Sequence, residues 1–277
     1  GVTVKKNFAV GSGSTFAANS LAISVQGDWT NNGGTFTPGT QTTTFNGTAA
    51  QTIGGSAATT FNSLTINNGS GVSLSGVNAS TNSTGTLTLQ SGIVTTGAVQ
   101  QLVVLNTAIA AISQSITTSY VDGNLTRAMS VAGSNYRFHV GAGGVFNPVD
   151  LNFASISVAG NVTVSSASSE HPQLGSSALD GNNSVNRYWT IANPTLTFST
   201  ATATYTFAAG DVDGGGSPTS FQAASYTSST WVYPTTGTVT ATTYQETSLD
   251  STSISGDHVL AAFGSPLAWW RMDEQSW

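Results

Sequence analysis

One short phrase recurs along the first half of this chain, and it limits the fold more than any other feature. Its clearest copy is Thr60 to Gly76, TFNSLTINNGSGVSLSG. Phe61, Leu64 and Ile66, then Val72 and Leu74, are set in short alternating runs around the polar turn Asn67-Asn68-Gly69-Ser70-Gly71. Looser copies precede and follow it at a spacing of about 20 residues, the range of stacked repeat architectures. Period-2 alternation sends every second side chain inward. Asn at the corners tolerates left-handed backbone and bonds neighbouring main chain. The expectation is a parallel β-solenoid over residues 1–129, opened by Val2, Val4, Phe8 and Val10, carried on by Leu21, Ile23 and Val25, and closed by Ile112, Ile116 and Val121.

The phrasing changes near Val121-Asp122-Gly123-Asn124. Beyond it, short strands separated by sharp turns predict an antiparallel, Ig-like β-sandwich over 130–265. Tyr188-Trp189 is its expected aromatic anchor, and Ser165 to Asn186 reads as a long surface loop. Residues 266–277 form an extended tail that concentrates Trp269, Trp270 and Trp277. The fold class is therefore all-β.

Charge is the scarce quantity. Charged residues are 6% of the chain, while hydrophobic residues are 38% and aromatics 9%. Disordered segments show the reverse balance, so a core is expected. With 6 Lys+Arg and a net charge of −6, the chain has no basic face for nucleic acid or for anionic membranes. No apolar run is long enough to span a bilayer as a helix. The absence of Cys excludes disulfides, thiolate metal sites and a Cys nucleophile. The chain opens at Gly1 in mid-pattern without an initiator Met or a signal peptide, which leads to the expectation of a mature or cut-out portion of a longer precursor.

The runs GDWTNNGGTFTPGT and TTTFNGTAAQTIGGSAATTFNSLTINNGSGVSLSG, then VDGNLTRAM, YRFHVGAGG, NRYWTIAN and GDHVLAAFGSP, resemble the repeat modules of large secreted surface proteins of gliding-type bacteria, exported by type IX secretion. The resemblance covers most of the chain, through low-complexity motifs. It implies solenoid repeats followed by a β-sandwich, placement outside the cell or at its surface, and structural or adhesive work. It carries no catalytic residues. AWWRMDEQSW resembles the start of a following module.

Candidate chemistry is sparse. Asp211 and Asp213, followed by three glycines, offer oxygen ligands for Ca²⁺, although a binding loop of the EF-hand kind needs more acids and a distal Glu, and a solvated loop is the competing reading. No other cofactor is indicated. Asp180-Gly181-Asn182-Asn183 is a weaker candidate that reads as a turn. Glu170-His171 and Asp257-His258 suggest acid–base pairs, but they lie in unrelated segments. There is no G-x-S-x-G elbow and no P-loop lysine. Pectate-lyase-like solenoids need acids and bases along one face; here no Lys or Arg lies between Lys6 and Arg127, and the only acids are Asp28 and Asp122. Thr35/Thr37 and Thr86/Thr88 are reminiscent of the T-x-T rows of ice-binding solenoids, yet in sequence they do not recur at one place in each phrase. The N-x-[ST] sequons follow from an Asn/Thr-rich composition.

The chain is therefore read as non-enzymatic. The leading expectation is a secreted structural protein that assembles head to tail with copies of itself into a filament or layer. Lys5 and Lys6 lie at one end, and Trp269, Trp270 and Trp277 at the other, as subunit contacts. The alternative is an adhesin or carbohydrate-binding module for a surface polysaccharide, with Trp231, Tyr233 and the 211–213 loop as contacts.

Overall fold

In the computed structural model, residues 1–19, 21–133, 135–193 and 195–264 are described. The expected tail contacts Trp269, Trp270 and Trp277 lie outside them.

The first half is a parallel β-solenoid of six turns with three faces. One face stacks Val2–Val4, Ile23–Val25, Thr42–Phe45, Ser63–Asn67, Leu87–Ser91 and Ile112–Gln114. The next stacks Phe8–Val10, Trp29–Asn31, Gln51–Gly55, Val72–Ser75, Val94–Thr95 and Val121–Asp122. The third is in two parts: Thr15–Ala17 pairs with Thr35–Thr37, and Thr59–Phe61, Ala79–Thr81, Gln101–Val104 and Asn124–Met129 follow in a larger sheet. Val2, Ile23, Thr43, Leu64, Leu87 and Ile112 stack in register, so successive turns are 21, 20, 21, 23 and 25 residues long. The longest turn absorbs its extra residues at a corner that holds the 3-10 turn Ile109–Ala111.

Alternation works as expected inside the strands: Leu64, Ile66, Leu87, Leu89, Leu102 and Val104 are fully buried. Each such side chain contributes about 1.5–3 kcal/mol by leaving water. Three expected core residues are not core: Val2, in the first strand, is 37% exposed, and two more lie at corners. Leu21 and Ile116 are 48% and 47% exposed, because both sit at corners outside the strands, where the chain turns rather than alternates. The corners are held by side-chain amides. Asn31 Oδ1 accepts from the backbone N–H groups of Gly33 and Gly34. Asn68 donates to Ala49 O at 2.7 Å and accepts from Ser70 N–H. Gln51 is buried and ties together Gly47, Val25, Gly27 and Asn68. In this way a chain with few charges satisfies its buried backbone.

The Thr pairs named above form no T-x-T row: Thr35 and Thr37 lie on the third face, where Thr37 pairs with Ala17, and Thr88 lies on the first. The outward positions of the first face do recur: Thr3, Ser24, Thr44, Thr65, Thr88 and Ser113 form one stacked column. Turns of unequal length hid this column from the sequence.

The solenoid passes into the second half without a break. Asn124–Met129 pairs in parallel with Gln101–Val104 on one side and antiparallel with Gly160–Ala167 on the other. The ten-stranded sheet continues through Tyr188–Ala192, Gly256–Phe263, Gln222–Thr227 and Thr230–Val232, with Leu179–Ser184 joining Gly256–Phe263 off this path. A five-stranded antiparallel sheet runs Asn135–Phe138, Val149–Phe153, Ala201–Thr206, Thr243–Leu249 and Thr235–Val239. The two sheets meet across one core. Trp189 of the first packs on Tyr205 and Tyr244 of the second, at ring distances of 5.2 and 5.8 Å. Its buried N–H donates to Asn147 O at 3.0 Å, the partner a buried indole requires.

The expected surface loop Ser165 to Asn186 is a correction. Its first residues end the strand Gly160–Ala167, and Leu179–Ser184 is itself a strand. The turn-like Asp180-Gly181-Asn182-Asn183 lies in a bulge of that strand, between the pairs Asp180↔Ala262 and Ser184↔Ala261. Turn residues there mark the irregularity and not a chain reversal.

Candidate functional site

The two ends of the solenoid differ. On the third face Phe61, Thr81, Val104 and Arg127 form one inward column, so the last turn puts a guanidinium where earlier turns put the uncharged side chains of Phe, Thr and Val. Arg127 is 1% exposed. It donates to Arg137 O at 2.7 Å, Ala108 O at 3.1 Å and Ile109 O at 2.9 Å, and lies over the rings of Tyr136 and Phe138. Burial lowers its pKa to about 10. This cation plugs the solenoid core with carbonyls and aromatic faces in place of a carboxylate.

No such plug lies over the first turn among the described residues. Val2 is 37% exposed and Val4, Phe8 and Phe16 are half-buried. Beneath them is a cluster of rings: Phe8 packs on Trp29 at 4.6 Å and on Phe16 at 4.8 Å, and Phe36 and Phe61 flank Trp29. Lys5 and Lys6 are exposed at the corner of that turn.

The Asp211–Asp213 loop is tied down by protein donors. Asp211 takes Arg187 Nε at 3.0 Å and Nη2 at 3.1 Å, with Ala208 N–H also on Oδ2. Asp213 takes Asn186 Nδ2 at 2.6 Å on one oxygen, and Ser184 N–H and hydroxyl on the other. All four carboxylate oxygens face N–H or O–H groups, so they pin the loop to the strand start at Ser184–Arg187. Among the described residues no group of three or more His, Asp or Glu has the geometry to hold a metal ion.

The histidines exchange the partners that sequence adjacency suggested. Glu170 Oε1 lies 3.0 Å from Ser184 Oγ, whose single proton it shares with Asp213, while His171 Nε2 meets Asp257 Oδ2 at 3.1 Å and its Nδ1 accepts Gln173 N–H. With both ring nitrogens engaged and Tyr188, Tyr226 and Trp231 packed around it, His171 is a pin under the 168–178 segment. His258 faces inward. Its Nδ1 lies 2.8 Å from Glu246 Oε2 and its Nε2 3.0 Å from Ile254 O. Two acceptors on one ring require two ring protons, so His258 is an imidazolium paired with Glu246. Burial pulls its pKa down, but Glu246, through charge and hydrogen bond, outweighs this and leaves it raised. Tyr205 also donates to Glu246 Oε2, at 3.2 Å. His139 is the opposite case: burial, then the charges of Arg127 and Arg137, lower it to about 4.

Of the expected sugar contacts, Trp231 spends its N–H on Ser176 Oγ at 3.0 Å and Gln173 O. Tyr233 is 39% exposed and accepts Ala178 N–H on its hydroxyl. Tyr233 also stacks on Phe263, itself 58% exposed, at a ring distance of 6.2 Å.

No protein-family model, no curated protein and no solved structure matches the chain.

Proposed function

We propose that the chain is a secreted structural protein of a bacterial surface, which joins copies of itself head to tail into a fibre or layer and catalyses no reaction. In this reading residues 130–265 serve as an Ig-like sandwich module behind the solenoid, and 266–277 reach a neighbouring copy. The observation that supports it is the uncovered first turn. Its three strands Val2–Val4, Phe8–Val10 and Thr15–Ala17 have an unpaired side among the described residues, and its apolar side chains are partly in water. Such an edge is a template for pairing with another chain, and a contact between unlike surfaces that does not close produces a filament. Exposed Lys5 and Lys6 flank the edge and complement Asp273 and Glu274 of the tail.

Electron microscopy of the full chain beside a version ending at Ser265 tests this. The expected result is fibres that grow with concentration in the full chain and monomers in the short one. Phe16→Asp, at the open end, is expected to abolish fibres as well. Monomers in the full chain at all concentrations would remove self-assembly from the reading.

A further inference from the structure

The outer face of the five-stranded sheet carries a cleft that none of the preceding assignments uses. Along Val149–Phe153, Ala201–Thr206 and Thr243–Leu249 the inward positions are apolar or belong to the buried Glu246 site, and the outward positions are polar. Strand register sets these outward side chains in two rows that run across the strands. One is Arg137, Asp150, Thr204 and Gln245. The other is Asn135, Asn152 and Thr202.

The second row ends at a β-bulge. Ala201 pairs with Leu249 and Ala203 with Glu246, so two residues, Thr247 and Ser248, stand opposite Thr202 alone. Ser248 is held at φ +60°, a left-handed conformation that a serine adopts at some cost. Bulges and strained residues gather next to binding sites, where they re-aim side chains. Here the bulge borders a cavity of about 460 Å³ lined by Asn152, Ala154, Thr200, Thr202, Thr247 and Ser248. A second cavity of about 290 Å³ is lined by Asn135, Asp150, Asn152, Thr202, Thr204 and Gln245. They share Asn152 and Thr202 and so form one cleft across four strands.

The chemistry of the lining selects the ligand. Every side chain in the second cavity is an amide, a hydroxyl or a carboxylate. Its one carboxylate, Asp150, is neutralised by a bidentate contact with Arg137, at 2.9 and 2.7 Å, so the cleft presents no net charge to attract an ion. Gln245 Nε2 donates to Thr204 Oγ1 at 3.3 Å, which holds the amide along its row. A cleft lined by paired donors and acceptors, with small apolar contacts from Ala154 and Ala201 and no aromatic ring, suits a chain of hydroxyls. We infer that this cleft binds an uncharged polysaccharide chain laid across the strands, held by Asn135, Asn152, Thr202 and Gln245. The inference is independent of head-to-tail assembly. It places glycan recognition on the five-stranded sheet, where Trp231, Tyr233 and the 211–213 loop do not lie.

Affinity gel electrophoresis of the full chain tests it, with dextran, a soluble β-glucan, mannan or xylan in the gel, polygalacturonate as the charged polymer, and a polymer-free gel as reference. The expected result is retardation by at least one neutral polymer and none by polygalacturonate. Asn152→Ala and Gln245→Ala are each expected to weaken retardation about fivefold or more, the worth of one or two hydrogen bonds, with unchanged thermal unfolding. Thr65→Val, outward on the solenoid, is expected to leave retardation as it was. No retardation in any neutral gel, retardation by polygalacturonate alone, or retardation indifferent to both cleft substitutions would each overturn the inference. Self-assembly would slow the chain equally in the polymer-free gel and is thereby separated from binding.

Discussion

The solenoid and the two-sheet region are built from the same charge-poor composition and hold themselves together differently. In the solenoid each strand pairs with one about 20 residues away, always in parallel, and polar groups are met by Asn, Gln, Ser and Thr reaching to the next turn. In the two-sheet region partner separations follow no period, from 12 residues for His258 and Glu246 to 86 for His171 and Asp257. All the ion pairs among the described residues lie in this half: Arg137–Asp150, His171–Asp257, Arg187–Asp211 and His258–Glu246. Stacked turns define one another's register through a repeated pattern. Sheets assembled from distant segments gain from polar contacts that only one arrangement satisfies.

The largest expected effect comes from cutting one of those ion pairs. Glu246→Ala leaves His258 buried without its carboxylate, and a loss of about 3–5 kcal/mol is expected from denaturant unfolding. The matching cut in the solenoid is Gln51→Ala, which leaves Gly47 N–H and the Gly27 carbonyl without their partner, while Val25 O keeps Asn46 N–H. About 1–3 kcal/mol is expected there. Equal losses at both sites would break the comparison.

Within the second half, acid and base act through two different histidines. His139, beside the Arg127 plug, has a folded pKa of about 4 against an ordinary 6.5. The folded state therefore refuses a proton that the unfolded chain takes. Its contribution is whole above pH 6.5 and is lost as pH falls toward 4, about 3 kcal/mol over that interval. His258 has a raised pKa. Its contribution is whole below pH 6.5 and is lost as pH rises through the folded value. Urea midpoints followed against pH are expected to lose the acidic limb in His139→Gln and the alkaline limb in His258→Gln.

Much of the solenoid was legible because its core obeys a local rule. Val25, Leu64, Ile66, Leu87 and Leu89 are inward by alternation alone, and Asn-Gly-Ser clusters mark the corners. Leu21 and Ile116 misled because an apolar residue at a corner carries the same letters as one in a strand. The Thr and Ser column on the first face was invisible for a related reason: turns of 20 to 25 residues blur a fixed period. The Arg127 plug also eluded the sequence, since one Arg at an inward strand position looks like any other. In the second half the strand Val149–Phe153 and the anchor Trp189 were readable. The partners of Asp211, His171 and His258 were not, because ion pairs across 24, 86 and 12 residues leave no periodic trace.

By itself, then, the sequence determined an all-β chain whose first half stacks as a parallel solenoid, since alternation and turn residues act between near neighbours and are written in the order of the letters. The tertiary structure alone decided that Arg127 plugs the last turn of the solenoid, and which carboxylates His171 and His258 meet. It also decided that Asn135, Asn152, Thr202 and Gln245 line one cleft. These depend on register between strands distant in the chain, and register is decided by how whole sheets pack.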